Sequence, residues 1–137
     1  MPVDRSDSGS LLRSLDDRPL LFDGAMGTTV NDFEDRDWEA PEEVTVRYPD
    51  HMLGIYRAYL EAGADVLTTN TFGGNLIRLK RAGLTDLVVE INRGAAEQAR
   101  SVAGDQAWVA GDIGQSGGSQ LIRPSTPFFL HHPHWQG

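Results

Sequence analysis

Apolar residues along this chain gather into short runs that alternate with longer stretches of helical spacing. The run Leu20–Phe22 closes on Asp23-Gly24 and predicts a short strand. In "DHMLGIYRAYLEAG", positions 52, 56, 59, 60 and 63 share one face. That spacing predicts a helix over 50–62, with Asp50 as its N-cap and Gly63 as its C-cap. "ADVLTTN" predicts a strand over 65–70, entered directly from that helix. A short basic helix follows over 75–83, ending at Gly83. The longest helical pattern covers 85–104, with Val88, Ile91, Ala95, Ala99 and Val102 on one face and Gly104 at its end. "AWVAGDIG" then predicts a third strand over 107–112. Two stretches lack a clear period. Residues 1–17 read as a flexible leader with a short helix at Leu11–Leu15. "VNDFEDRDWEAPEEV" reads as an acidic surface loop with some helix, punctuated by Pro41 and nearby Pro49.

Strands alternating with helices imply an α/β fold with a parallel sheet and helices outside it. All three predicted strands end in polar residues and glycine: Asp23-Gly24, Thr69-Asn70-Thr71 and Gly111-Asp112. In parallel α/β architectures the carboxyl ends of the strands form the functional face. Three such ends point to a shared site. The same residue types also cap helices in ordinary βα loops, and that alternative stays open for each end taken singly. The pattern breaks near Pro124. From there to Gly137 no side chain carries a formal charge, and the stretch holds three of the seven prolines and three of the four histidines. Pro127 and Pro133 oppose the helix that the alternation would call for. We read 124–137 as a disordered tail, reflecting a truncated chain or a shifted reading frame.

Composition narrows the function. The net charge of −8 over 137 residues argues against nucleic acid and anionic membranes as partners. No apolar run approaches the length of a membrane span, and the amino terminus lacks the apolar stretch of a signal peptide, so a cytoplasmic location is expected. The chain contains no cysteine, which excludes disulfides and any thiolate metal site built by this chain alone. His131, His132 and His134 offer imidazoles, but on a short, proline-broken terminal stretch they suit adventitious binding better than a fixed site. The acidic run reads as solvated rather than as a hard-cation site, and "GQSGG" lacks the Lys-Ser/Thr of a phosphate loop. No metal site is assigned.

The blocks "LLFDGAMGTT", "IYRAYLEAGADVLTTNTFGGN", "EINRGAAEQAR" and "VAGDIGQSG" resemble, in this order, the opening third of the homocysteine S-methyltransferase family. That family includes the amino-terminal domain of cobalamin-dependent methionine synthase and betaine–homocysteine methyltransferase. The resemblance runs from Pro19 to Leu121 and departs at Gln115-Ser116, where the family pattern has proline followed by threonine or serine. It implies an eight-stranded (β/α)8 barrel, of which 18–123 would supply about the first three β/α units. It also implies transfer of a methyl group to the thiol of homocysteine, with a zinc ion holding the thiolate on cysteines that this chain does not contain. Cobalamin or folate would enter only through further domains, and the methyl donor is not legible. By resemblance, Asp23 would pair with the substrate α-ammonium. Gly24 and Ala25 would approach it through their backbone, Thr69, Asn70 and Thr71 would face its polar end, and Asp112 would lie near the rim. A three-strand segment would be inactive alone and would self-associate through its open edges. The alternatives are a non-catalytic module that needs a partner chain, or a decayed product.

Overall fold

The computed structural model describes residues 8–115. The expected tail at 124–137, with its three histidines, lies outside the described residues, as does the start of the leader. Three segments run parallel and in chain order. Phe22 forms a single bridge to Val66, extended by bonds from Asp65 N and Val66 N to Leu21 O and from Asp23 N to Val66 O. Strand β1 (Val66–Thr68) pairs in turn with β2 (Trp108–Ala110), in the register Val66–Trp108, Leu67–Val109 and Thr68–Ala110. The predicted strands are therefore present but short. The first is reduced to one bridging residue between Pro19, which cannot donate to a ladder, and the Asp23-Gly24 turn.

Helix α1 (Ser8–Asp17) is longer than the Leu11–Leu15 helix expected in the leader. Tertiary contact explains the difference. Ser10 is buried, and its hydroxyl accepts a 3.1 Å bond from Trp108 Nε1 at the start of β2. Just beyond, Arg18 forms a two-pronged pair with Asp65 at 2.8 and 2.5 Å, and Asp65 also accepts from Leu21 N. One carboxylate thus fastens the amino-terminal ends of two neighbouring strands.

Helix α2 (Met26–Asn31) follows the first strand. The acidic stretch after it is packed, not simply solvated. It contains a 3₁₀ turn at Pro41–Glu43 and helix α3 (Val44–Arg47), and it buries Trp38, Glu42, Glu43, Val44 and Thr45. Glu43 is satisfied by Glu39 N and Arg47, so its burial leaves no unpaired charge.

Helix α4 spans Pro49–Glu61. Its N-cap is Tyr48, not the expected Asp50: Pro49 takes the first helical position, where its missing N–H is no loss, and Asp50 falls inside the first turn. The other end closes one position earlier than expected, with Gly63 just past the C-cap instead of at it. Ala62 is the C-cap, Gly63 has φ +97, and Gly63 N and Ala64 N bond back to Leu60 O and Tyr59 O. That reversed pair of bonds needs a left-handed residue, which glycine supplies without strain.

Helix α5 (Leu76–Arg81) is capped by Asn75, whose side chain accepts from Arg78 N at 3.0 Å. Helix α6 (Val88–Ala103) buries Ile91, Ala95, Ala99 and Ala103, so its inward face ends on Ala103 and leaves Val102 half-buried. Three alanines one turn apart keep that face shallow and let α6 pack closely against α4 and the sheet. The core lies between these layers and includes Val30, Met52, Ile55, Tyr56 and Leu67. No helix among the described residues is long and apolar enough to cross a membrane.

Candidate functional site

The carboxyl ends of the three parallel segments bring together Asp23, Thr68–Gly73 and Asp112. Asp23 leaves the first strand with its N–H bonded to Val66 O. Its half-buried carboxylate accepts two bonds from one residue of the next strand, Thr68 N at 2.9 Å and Thr68 Oγ1 at 2.7 Å. Burial pushes the Asp23 pKa above the usual carboxylate range, the two Thr68 donors oppose that rise, and the charge of Asp112 adds to it. A carboxylate raised in the folded state favours folding while protonated, and this contribution is lost as pH rises through its folded pKa. Ionising Asp23 therefore costs more in the folded than in the unfolded chain.

Gly24 and Ala25 form the turn into α2, and Gly27 lies in its first turn. A Cβ at Gly24 or Gly27 would meet nothing within 4 Å, so packing requires neither glycine. Ala25 sits at φ 44, ψ 32, in the left-handed region that L-residues avoid by about 1–2 kcal/mol. Its carbonyl accepts from Thr28 Oγ1 and Thr29 N, both at 2.9 Å, and these bonds hold the strained residue in place.

Thr69 and Thr71 close a ring on the backbone of Asp112. Thr71 Oγ1 donates to Asp112 O at 2.7 Å, so the 2.6 Å contact between the hydroxyls runs from Thr69 to Thr71. Asp112 N in turn donates to Thr69 Oγ1 at 3.1 Å. Each hydroxyl has one proton, and both are committed inside the ring. Asn70, 4% exposed, points the other way. Its amide donates to Pro41 O at 2.8 Å and Thr45 Oγ1 at 3.2 Å, and its backbone N–H donates to Tyr56 Oη at 3.0 Å. Burial pushes the Tyr56 phenol up to about 12, so it stays protonated at physiological pH.

Two members of this assembly were missed by sequence reasoning. Glu42, read as part of a solvated acidic run, is buried and accepts from Gly73 N at 2.6 Å. A Cβ on Gly73 would lie 2.6 Å from the same carboxylate oxygen, so only glycine allows the approach. Tyr56, read as one apolar position of a helix face, supplies the hydroxyl that receives Asn70 N–H. The only signal for either was local: a Pro-Glu-Glu turn ahead of a Val-Thr-Val helix, and a tyrosine on an otherwise apolar face.

Thr69, Asn70, Thr71 and Asp112 line a cleft of about 610 Å³, with Met26, Gly27, Glu42 and Phe72 also on its walls. Asp23, Gly24 and Ala25 are not among the residues that line it. Arg78 reaches the cleft from α5, its guanidinium 5.6 Å from the centre of the half-exposed Phe72 ring. Among the described residues no three His, Asp or Glu side chains converge as metal ligands.

A parallel α/β chain that presents carboxylates, hydroxyls and open glycines at one end of its strands has the organisation of a small-molecule enzyme of the α/β class. The family model for homocysteine S-methyltransferase matches residues 20–128, most of the chain, and this chain belongs to that family. It is 38% identical over 99 residues to a methionine synthase of Mycobacterium leprae (strain TN), a match covering 68% of this chain and 8% of that protein. Its fold is similar to two crystal structures of the Escherichia coli homocysteine methyltransferase MmuM. The metallated form has a TM-score of 0.60 at 24% identity and the oxidized form 0.60 at 25%. Each covers 75% of this chain, whereas this chain spans 41% and 40% of theirs.

Proposed function

We propose that this chain forms the opening β/α segment of a homocysteine S-methyltransferase barrel and holds the amino-acid end of homocysteine without activating its thiol. The observation that carries this reading is the Asp23 carboxylate. It is fixed by Thr68, half-buried, and faces the charge of Asp112. A substrate α-ammonium relieves both the burial and the repulsion, because charge-assisted hydrogen bonds compensate a desolvated carboxylate. The open space beside Gly24 and Gly27 admits a ligand against the backbone of the turn. Thr69 and Thr71 act as the frame that fixes Asp112, since their protons are committed there, and Asn70 ties the strand end to the helices behind it.

The family reading brings zinc with it, and the donor set here does not fit a resident zinc. The chain has no cysteine, and the described residues gather no three-ligand cluster. No step in this account runs through a metal. A closed barrel also needs strands beyond β2. Among the described residues β2 pairs on one side only, and Leu21, Phe22 and Ile113 are exposed. Such edges are covered by further strands or by self-association.

The test is a titration of homocysteine into the ¹⁵N-labelled chain. Amide shifts are expected at Gly24, Ala25, Thr68, Thr69 and Asp112, with little change in α6. In Asp23→Asn these shifts are expected to vanish while the spectrum stays folded, because an asparagine still accepts from Thr68 N and donates to Thr68 Oγ1. Shifts that persist in Asp23→Asn, or that map to another face, would overturn the reading.

A further inference from the structure

We propose that an apolar groove between α2 and α4 is the docking site of this chain's own carboxyl-terminal segment, Pro124–Trp135, which sequence alone reads as disordered. The groove has a volume of about 470 Å³ and shares no lining residue with the cleft at the strand ends. Phe33 and Tyr59 wall it, and Ala58 and Ala62, exposed and one turn apart on α4, keep it open. Among its lining residues Asp50 alone carries a formal charge.

His51 also lines the groove. Its ring stacks with Phe33, at 4.1 Å between centroids and 9° between planes, and with Tyr48, at 5.4 Å and 14°. These contacts fix the imidazole, and its Nδ1 is buried with no hydrogen-bond partner among the described residues. A buried ring nitrogen without a partner costs free energy until a neighbour supplies one. The groove therefore suits an occupant that is mainly aromatic, uncharged and equipped with a few hydrogen-bonding groups.

The carboxyl-terminal segment carries that chemistry. Phe128, Phe129, Leu130 and Trp135 supply apolar and aromatic surface, and no side chain from Pro124 onward has a formal charge. The Trp135 indole N–H is a donor, and the Ser125 and Thr126 hydroxyls both donate and accept. Pro127 and Pro133 restrict the free chain, so less entropy is lost on docking.

Topology brings the segment within reach. Helix α4 runs into the amino end of β1, so His51, in its first turn, lies towards the carboxyl ends of the strands. The chain leaves from that same end at Gln115, whose carbonyl accepts from Asn75 Nδ2 at 3.4 Å. At about 3.3 Å per residue, the stretch Ser116–Thr126 spans up to about 35 Å. A small domain is about 30 Å across, so reach does not limit docking.

Charge favours this occupant over the folded body of a second copy. The whole formal net charge of −8 resides in residues 1–123. A second body would bring that charge against a groove that already holds Asp50, whereas the carboxyl-terminal segment brings none.

The experiment uses the full chain. Because the chain has no cysteine, Gly137→Cys places a single nitroxide label close to Trp135. Amide intensities of the ¹⁵N-labelled protein are compared with the nitroxide oxidised and reduced. Most of the intensity is expected to be lost at Thr29, Ala58 and Ala62, with little lost at Val89 and Glu97, which line a separate groove beside α3. Ala58→Lys puts a charge into the groove at an exposed position, and Phe128→Ser with Trp135→Ser removes the aromatic anchors without altering the described fold. Either change is expected to restore the groove intensities while the remaining signals stay those of the folded chain. In an equal mixture of ¹⁵N-labelled wild type and spin-labelled chain at natural isotope abundance, no loss is expected at the groove. Loss spread evenly over the surface, or none at the groove, would overturn the proposal, as would loss that persists when the aromatic anchors are removed. Loss of equal size in the mixture would assign the groove to a second copy and overturn it as well.

Discussion

Homocysteine incubated with the purified chain, zinc and a range of methyl donors is expected to yield no methionine above the uncatalysed background. A thiol with a pKa near 8.5 is only about 3% thiolate at pH 7, and the thiolate is the nucleophile. Raising that fraction takes a cation or base fixed beside the sulfur, and transfer takes a methyl donor aligned with it at close range. The described residues gather no three-ligand metal cluster to serve as that cation. The charged residues lining the cleft are Glu39, Glu42 and Asp112, which oppose thiol ionisation, and Arg78 and Arg81 from α5, of which Arg78 lies against Phe72. The assay is methionine formation at several donor concentrations. Turnover that disappears in Asp23→Ala and survives replacement of His131, His132 and His134 would show that this segment catalyses the transfer. Turnover that depends on those three histidines would place a working metal site in the carboxyl-terminal stretch.

Asn70→Ala is expected to lower the unfolding free energy by about 3 kcal/mol, and Asn70→Asp by more. The alanine variant removes the donor that satisfies Pro41 O and Thr45 Oγ1, and opens a small void at a position 4% exposed. The aspartate variant places a negative charge against the Pro41 carbonyl at a buried position. Both variants loosen the attachment of the β1 end to the 3₁₀ turn and to α3, so loss of the Thr69–Asp112 ring should accompany the loss of stability. Urea unfolding followed by tryptophan fluorescence measures the difference. A change below about 1 kcal/mol for Asn70→Ala would mean that the amide is not the tie described here.

The periodic elements were legible in the sequence because burial dictates them directly. The strand at β1, the helix α6 and the parallel order all follow from apolar spacing and turn residues, and the closure at Gly63 followed from the left-handed conformation glycine allows. Asp50 was misplaced as a cap because Pro49 and Asp50 both favour the start of a helix, and proline at the first helical position decides between them. The acidic run was misjudged for a different reason. Its burial depends on Glu42 meeting Gly73 and on Arg47 meeting Glu43, and the first of those contacts spans a separation in sequence that no local pattern reveals. At the site, residue types announced a polar strand end, but not that the Thr69 and Thr71 protons would close on Asp112. Hydroxyl direction depends on which backbone groups the neighbouring strand presents, and this register is a property of the folded sheet.

The most direct test of the central claim, that this chain carries the amino-acid end of the homocysteine site and not its thiol end, compares two ligands by isothermal titration. L-Homocysteine and L-2-aminobutyrate share the ammonium and carboxylate, and only the first has the terminal CH₂–SH. The account predicts weak binding of both, on the order of 1 mM, with affinities within about threefold of each other. A preference for homocysteine greater than about tenfold, worth more than about 1.4 kcal/mol, would mean that this segment grips the sulfur and would contradict the account.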